Sequence, residues 1–332
     1  MALYSIALVI YYATVHNAQH KLERIVMNSN EKALARIKFK LKVHESNGQA
    51  YENLFVSIMG YADSEFRPVK PQGNIGDRKN DGYNKDKGVY YQVFAPEDAR
   101  KSPSSAISKI KTDFAGLVKA WSPVNEFYFV LNDKYQGAYP ETEQAVEDLR
   151  KQYGVTKAGT FLAKHLEETL FSLDDDMVSS IIGFVGDPAS VVKLNYSVLN
   201  EVVAHIMGIP MHVKSSSQLV APDWEEKMRF NGLSGFVDDQ LTSASYMVGE
   251  LDQYLKNNSG FLAQELRNQM CDIYQETIAD PWMSRKDNAD AAFWEIVNRA
   301  CPREVSMYQK AVLVVMAKYF ESCDIFEEPT QC

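Results

Sequence analysis

Apolar residues between positions 45 and 173 change repeatedly between helical and extended spacing. A helix is predicted first, because apolar side chains recur at intervals of three and four over residues 45–60. An extended segment is predicted at 66–69, followed by a strand ending near 83 and a strand at 89–94. After these come a helix at 104–121, a strand at 126–131, a helix at 140–154, a strand at 155–161 and a helix ending near 173. This alternation predicts an α/β fold in which helices flank a mixed sheet.

From residue 174 onward the strand pattern fades and helical spacing remains. Apolar residues recur at intervals of three and four in segments at 206–211, 235–254, 261–274, 293–300 and 305–320. Prolines and an Asn-Asn-Ser-Gly sequence separate these segments. The sequence therefore predicts an all-α C-terminal domain, with the boundary between residues 174 and 188.

The first 26 residues differ from both predicted domains. Residues 2–15 form an apolar run that is shorter than the roughly 20 residues of a membrane-spanning helix. No Lys or Arg precedes the run and no convincing cleavage site follows it, which argues against a signal peptide. Initiation at Met27 would explain both features. Residues 1–26 are therefore an uncertain leader, and a membrane-tethered protein stays an alternative that deleting them would test.

The charge and the cysteines limit the class of protein. The formal net charge of −9 excludes a protein that coats nucleic acid with its whole surface. Residues 67–120 carry eleven Lys and Arg against six Asp and Glu, and this net charge of +5 fits either a local basic groove or an ordinary solvated surface. The four cysteines lack CxxC spacing, which excludes a disulfide framework and fits the reducing cytoplasm.

Two oxygen-bearing side chains stand out in the predicted hairpin over residues 73–94. Asp81 lies at the tip of the first strand, and Gln92 lies within the apolar second strand. Oxygen atoms on neighbouring strands can hold Mg²⁺, which prefers oxygen ligands and keeps several waters. Each residue has a structural alternative, because Asp81, like Asp77, could stabilise a turn, and Gln92 could form a buried hydrogen bond to the backbone.

Three segments around these residues resemble a known nuclease family. The sequences NGQAYENLFVSIM, GDRKNDGY and YYQVFAPED are similar to the Mrr-like and Cap-type endonuclease domains of the PD-(D/E)xK superfamily. The resemblance implies a restriction-endonuclease-like domain over residues 27–175 that hydrolyses DNA with Mg²⁺, with Mn²⁺ able to replace it. It also implies that Glu52, Asp81 and Gln92 are the metal-binding positions.

The sequence departs from this family at one position. The family carries a lysine two residues after the second strand ligand, and the corresponding residue here is Phe94. Lys79, two residues before Asp81, is the first choice to supply the missing ammonium group, and Lys101 is the second. Otherwise the domain has lost catalysis and retained DNA binding.

Several other charged residues are weaker candidates. Glu52 could be an ordinary exposed acid on an amphipathic helix. Glu97 and Asp98 begin a connection that could reach the site, and Asp133 and Lys134 follow the predicted strand at 126–131.

In the second half, residues 219–234 (LVAPDWEEKMRFNGLS) resemble a segment of the helical C-terminal domains of ABC-three-component defence systems. Such systems pair an effector with an SMC-like ABC ATPase and a small accessory subunit, and Lamassu is the best-known type. The apolar residues of this segment would equally serve a helix core. The chain has no P-loop, so any ATP hydrolysis belongs to another chain.

The first hypothesis is a cytoplasmic, Mg²⁺-dependent DNA endonuclease subunit of an antiphage or anti-plasmid complex. Residues 176–332 would form its helical assembly domain, and cleavage of both strands would require a homo-oligomer. The second hypothesis is a catalytically inactive subunit that binds DNA or assembles the complex on the same fold.

Overall fold

The computed structural model describes residues 26–69, 79–97, 103–121, 123–183, 194–210, 224–258, 261–322 and 325–327. Within these residues the chain forms two compact units. The first unit consists of residues 26–28 and 46–183, and the second consists of Ser29–Glu45 and the described residues after 183. The first unit ends at Gly183, which lies within the predicted boundary range of 174–188, whereas Ser29–Glu45, predicted to belong to the first domain, packs with the second unit.

The first unit combines a five-stranded sheet with five helices among its described residues. In chain order these are α2 (Gln49–Ala62), β1 (Arg67–Pro68), β2 (Gly82–Asn84), β3 (Val89–Phe94), α3 (Pro103–Ala120), β4 (Glu126–Leu131), α4 (Pro140–Tyr153), β5 (Lys157–Leu162), α5 (Ala163–Leu170) and α6 (Asp175–Ile182). The strands lie in sequence order across the sheet. The pairs β1–β2 and β2–β3 are antiparallel, and the pairs β3–β4 and β4–β5 are parallel.

The two faces of the sheet are covered by different helices. Helices α3 and α4 pack on one face, where Phe114 and Phe127 meet edge to face with ring centroids 4.7 Å apart. Helices α2 and α5 lie on the other face, where Phe55 contacts Tyr91 and Phe161. Because side chains alternate along a strand, Tyr91 and its neighbour Gln92 point to opposite faces.

These elements largely match the sequence pattern. Pro140 begins α4, and Gly154 ends it in the left-handed conformation that favours glycine, with φ of 67°. The predicted mixed sheet flanked by helices and followed by a helical C-terminal region is confirmed. The predicted start of the helix over 45–60 is wrong. Residues 46–48 are not helical, because Gly48 has a φ of 49°, and the helix begins at Gln49.

The position of Asp81 also differs from the prediction. Asp81 lies directly before β2 rather than near the end of the strand. The reason is that β2 begins at Gly82 and runs only to Asn84, after which the turn at residues 85–88 leads into β3. Gly88 closes that turn with a φ of 65°.

The described part of the second unit is helical. Its elements are α1 (Ser29–Glu45), α7 (Tyr196–Met207), α8 (Trp224–Phe230), α9 (Gly235–Ser245), α10 (Val248–Lys256), α11 (Leu262–Ile278), a 3₁₀ turn (Lys286–Asn288), α12 (Ala289–Ala300) and α13 (Ser306–Glu321). Helix α13 is buried around most of its circumference and packs against α7, α9, α10, α11 and α12. Helix α1 packs against α12 and buries Phe39 completely.

The described helices include none that is both long and apolar enough to cross a bilayer. The predicted leader, residues 1–26, lies outside the described residues except for Val26.

We expect the stability of the second unit to decrease between pH 5 and pH 8. Burial, together with the nearby carboxylate of Glu45, raises the pKa of Glu295 to about 7, although Arg299 opposes the shift. An acid whose folded pKa is raised stabilises the fold when it is protonated, so this contribution is complete below about pH 4.5 and is lost as the pH rises through 7. Since Glu295 is partly exposed, we expect a loss of about 1–2 kcal/mol.

Urea unfolding at pH 5.5, 7 and 8 measures this effect. Glu295→Gln should reduce the pH dependence, because the amide stays neutral throughout the range. A wild-type curve and a Glu295→Gln curve with the same slope against pH would contradict the assignment.

Candidate functional site

The candidate site lies where β2 and β3 part. The backbone N–H of Asp81 donates to the Tyr91 carbonyl at 2.9 Å, which continues the ladder by one residue beyond β2. Gly82 pairs with Tyr91, so Asp81 stands opposite Gln92 and the two side chains share a face of the sheet. This is the face that α3 covers.

Asp81 and Gln92 are in direct contact. The Gln92 Nε2 donates to Asp81 Oδ2 at 2.8 Å, and the backbone N–H of Val93 donates to the same oxygen at 2.6 Å. Asp81 is 5 % exposed and Gln92 is 2 % exposed. The Asp81 carboxylate therefore accepts the Val93 N–H of β3 in place of a backbone carbonyl, at the point where the β2–β3 ladder ends. The sequence predicted this pairing of the two side chains across the hairpin, and the structure brings them together.

One atom of this pair is left without a partner. Gln92 Oε1 is buried and accepts no hydrogen bond from the described residues. A buried acceptor of this kind costs about 1–3 kcal/mol unless a water or a ligand satisfies it. If the amide turned over, Oε1 would face Asp81 Oδ2, and two acceptors at that distance are favourable only when they share a cation or a proton.

The donor set fits Mg²⁺ in its chemistry. Asp81 offers a carboxylate and Gln92 an unsatisfied amide oxygen, and Mg²⁺ is commonly held by one or two protein oxygens together with waters and substrate phosphates. Among the described residues there is no group of three or more His, Cys, Asp or Glu side chains that could hold a metal ion. The pair therefore fits an ion whose remaining ligands come from elsewhere.

Glu52 lies on the other side of the sheet from this pair. It belongs to α2, whose Phe55 packs on the Tyr91 face. The start of α2 is tied to the end of β3, because the Gly48 N–H donates to the Ala95 carbonyl at 2.7 Å. Glu52 is thus near the same end of the sheet on the opposite face, and its role as a metal ligand stays a prediction.

Three features characterise the backbone and the side chain of Lys79. Its φ of 68° lies in the left-handed region, which costs a non-glycine residue on the order of 1 kcal/mol. Its Nζ forms an ion pair with Asp113 of α3 at 2.9 Å. A Cβ at Gly116 would come within 2.8 Å of the Lys79 Cγ, so glycine at this position makes room for the lysine stem. Its catalytic role stays a prediction.

Asp113 is the residue of this region that the sequence interpretation missed. It is 4 % exposed and also binds Lys109 at 2.7 Å. The signal was present, because position 113 falls at helical spacing with the buried Ile110 and Leu117 and therefore faces the sheet. A single acid on an otherwise apolar helix face is unusual enough to mark it.

The remaining candidates differ in what the structure shows of them. Phe94, at the position of the family lysine, stacks on Phe129 with ring centroids 5.8 Å apart and offers no charge. Asp133 has a structural task, because its carboxylate accepts the N–H groups of Gly137 and Ala163. Three further candidates lie outside the described residues, namely Asp77, Asp98 and Lys101.

Lys134 and Glu97 form one more link near this end of the sheet. The Lys134 Nζ donates to the backbone carbonyl of Glu97 at 3.2 Å, which joins the loop after β4 to the residues after β3. This contact uses only the backbone of Glu97, and it brings neither side chain to Asp81.

Comparison with known proteins bears on the second unit. No curated protein and no solved structure matches the chain significantly. A family model does match residues 197–327, which is less than half of the chain, and it includes the whole of the segment 219–234. The helical second half of this chain is therefore similar to C-terminal domain 10 of the ABC-three component (ABC-3C) systems.

Proposed function

We propose that the first unit is a Mg²⁺-dependent DNA endonuclease and that the chain is the effector subunit of an antiphage or anti-plasmid complex. The observation that supports this most directly is the buried Asp81–Gln92 pair, with its unsatisfied Gln92 Oε1, at the point where two strands diverge. A buried acceptor without a partner is expected where a ligand completes the site.

The residues would divide the work as follows. Asp81 and Gln92 would hold the ion through one carboxylate and one amide oxygen. When bound, Mg²⁺ would supply a lowered pKa for a water molecule and positive charge at the scissile phosphate. Lys79 lies two residues before Asp81 and provides a cation near the phosphate, while Asp113 sets the position of its ammonium group.

The second unit connects this activity to a complex. Its similarity to a domain of ABC-three component systems supports a role beside other components of such a system. We propose an SMC-like ABC ATPase and a small accessory subunit as partners, since this chain has no P-loop of its own. Cleavage of both DNA strands would require two copies, because one chain offers one Asp81–Gln92 pair.

A second candidate is a subunit that binds DNA or assembles the complex without cutting. The observation in its favour is that Asp81 Oδ2 already accepts two N–H groups, which is a complete explanation for a buried carboxylate. Phe94 in place of the family lysine points the same way.

Cleavage of supercoiled plasmid by the purified chain tests the first candidate. With Mg²⁺ we expect nicking or linearisation that EDTA abolishes. Asp81→Asn retains an acceptor for the Val93 N–H and removes the charge, so it should reduce cleavage by at least about 100-fold without unfolding the protein. Asp86→Asn is the matched control, because Asp86 is an exposed acid in the turn of the same hairpin.

Equal cleavage by wild type and Asp81→Asn would remove the assignment of the site. If neither the wild type nor any variant cuts DNA, but the wild type retards DNA with an affinity that falls steeply as salt rises, the second candidate is the correct one.

A further inference from the structure

A groove on the opposite face of the first unit has no role in the proposed cleavage. It encloses about 660 Å³ between the end of α2 and the turn after β2 on one side and α5 on the other. Its floor includes Tyr91 and Tyr128, which pair across β3 and β4. Because Gln92 points to the other face, the groove is separate from the Asp81–Gln92 pair.

The floor presents two aromatic rings side by side. The rings of Tyr91 and Tyr128 are 5.5 Å apart between centroids and inclined by 20°. The residue of β5 opposite Tyr128 is Gly159, where a Cβ would meet no atom within 4 Å. The sheet surface therefore has open space directly above Gly159, beside Tyr128.

The charged residues of the groove walls are mainly acidic. Asp63, Glu126 and Glu168 line it, against Lys87 as the one Lys or Arg among the described lining residues. The pKa of Asp63 is lowered, since hydrogen bonds from Asn84, the Glu65 N–H and Lys87 outweigh its desolvation. Because Asp63 forms an ion pair with Lys87 at 3.3 Å, the net negative charge of the lining comes from Glu126 and Glu168, and it disfavours a phosphate group.

The ammonium group of Lys157 already lies near the Tyr128 ring. The Lys157 Nζ lies 5.5 Å from the centroid of the Tyr128 ring, and the Tyr128 hydroxyl donates to Glu126 Oε2 at 2.7 Å. Aromatic faces flanked by carboxylates are suited to guanidinium and ammonium groups, because the ring quadrupole and the negative charge attract the same cation.

We propose that this groove binds an arginine-bearing segment of a partner protein. The guanidinium group takes the place of the Lys157 ammonium group against Tyr128 and pairs with the carboxylates of Glu126 and Glu168, and the aliphatic stem lies over Gly159. Arginine is favoured over lysine because its planar group stacks on a ring and donates to two carboxylates at once. The chemistry that recognises the partner is therefore charge complementarity combined with stacking.

Fluorescence anisotropy with a labelled decapeptide, GSRGSRGSRG, tests the proposal on the full-length chain. We expect saturable binding in low salt, and at least a tenfold weaker affinity for the same peptide with citrulline in place of arginine. Citrulline keeps the shape and removes the charge. The double variant Glu126→Gln, Glu168→Gln should weaken binding of the arginine peptide at least tenfold. Tyr128→Leu should weaken it as well.

Glu141→Gln is the control, because Glu141 is an exposed acid in the first turn of α4, which lies on the other face of the sheet. The proposal is overturned by an absence of saturable binding, or by an equal loss of affinity in the control and the double variant. It is also overturned if a single-stranded oligonucleotide binds in a manner that Tyr128→Leu abolishes. None of these outcomes depends on whether the chain cuts DNA.

Discussion

Gln92→Glu should make the stability of the first unit depend on Mg²⁺. The substitution places a second carboxylate against Asp81, where the present Nε2–Oδ2 distance is 2.8 Å and both residues are almost fully buried. Two buried carboxylates at this separation cannot both ionise without a cation, so the variant should lose about 3 kcal/mol in EDTA at pH 8. A bound Mg²⁺ would neutralise the pair and restore most of that loss.

Thermal unfolding with EDTA and with about 10 mM Mg²⁺ measures the effect. For a unit of this size the restored stability corresponds to a rise in Tm of about 10 °C. The loss in EDTA should be smaller at pH 6, because one carboxyl of the pair is then protonated more easily.

The chain contains a closely matched control. Gln144 Nε2 donates to Asp148 Oδ1 at 2.7 Å on the exposed side of α4, which is the same Gln–Asp contact without the burial. Gln144→Glu should change the Tm by little and respond to Mg²⁺ no more than the wild type, because solvent screens the two charges. If Gln92→Glu keeps the same Tm with and without Mg²⁺, the Asp81–Gln92 pair is a structural hydrogen bond and the metal site must be abandoned.

Phe39→Ala should destabilise the second unit by about 3–5 kcal/mol, which is the usual cost of removing a fully buried phenylalanine ring. Phe39 lies in α1 and is completely buried in the second unit, although in the sequence α1 lies between the two parts of the first unit. The family match begins only at residue 197 and therefore does not include this helix.

Urea unfolding followed by tryptophan fluorescence reports mainly on this unit, because Trp224, Trp282 and Trp294 belong to it. Arg36→Ala is the control, since Arg36 is exposed on the same helix, and it should change stability by less than about 0.5 kcal/mol. An unchanged midpoint for Phe39→Ala would show that α1 is not part of this core.

The tertiary structure also explains why the sequence pattern missed α1. Its buried residues include Leu34, Ile37 and Leu41 on one side of the helix and Ala35, Phe39 and Val43 on another, so buried positions cover most of its circumference. A helix enclosed on most sides has no apolar stripe, and the buried Lys38 breaks the pattern further. Lys38 is accommodated because its Nζ pairs with Glu304, a residue far away in the sequence.

The sequence by itself determined the elements whose pattern is local. The apolar run of β4 and the amphipathic helix α3 needed only spacing, and the contact of Asp81 with Gln92 followed from the turn that joins their strands. Only the tertiary structure decided the partners that lie far apart along the chain. It placed Glu52 across the sheet from Gln92, joined Lys79 to Asp113 and packed α1 into the second unit. These positions depend on how complete helices and strands pack against each other, and no short-range sequence pattern encodes that packing.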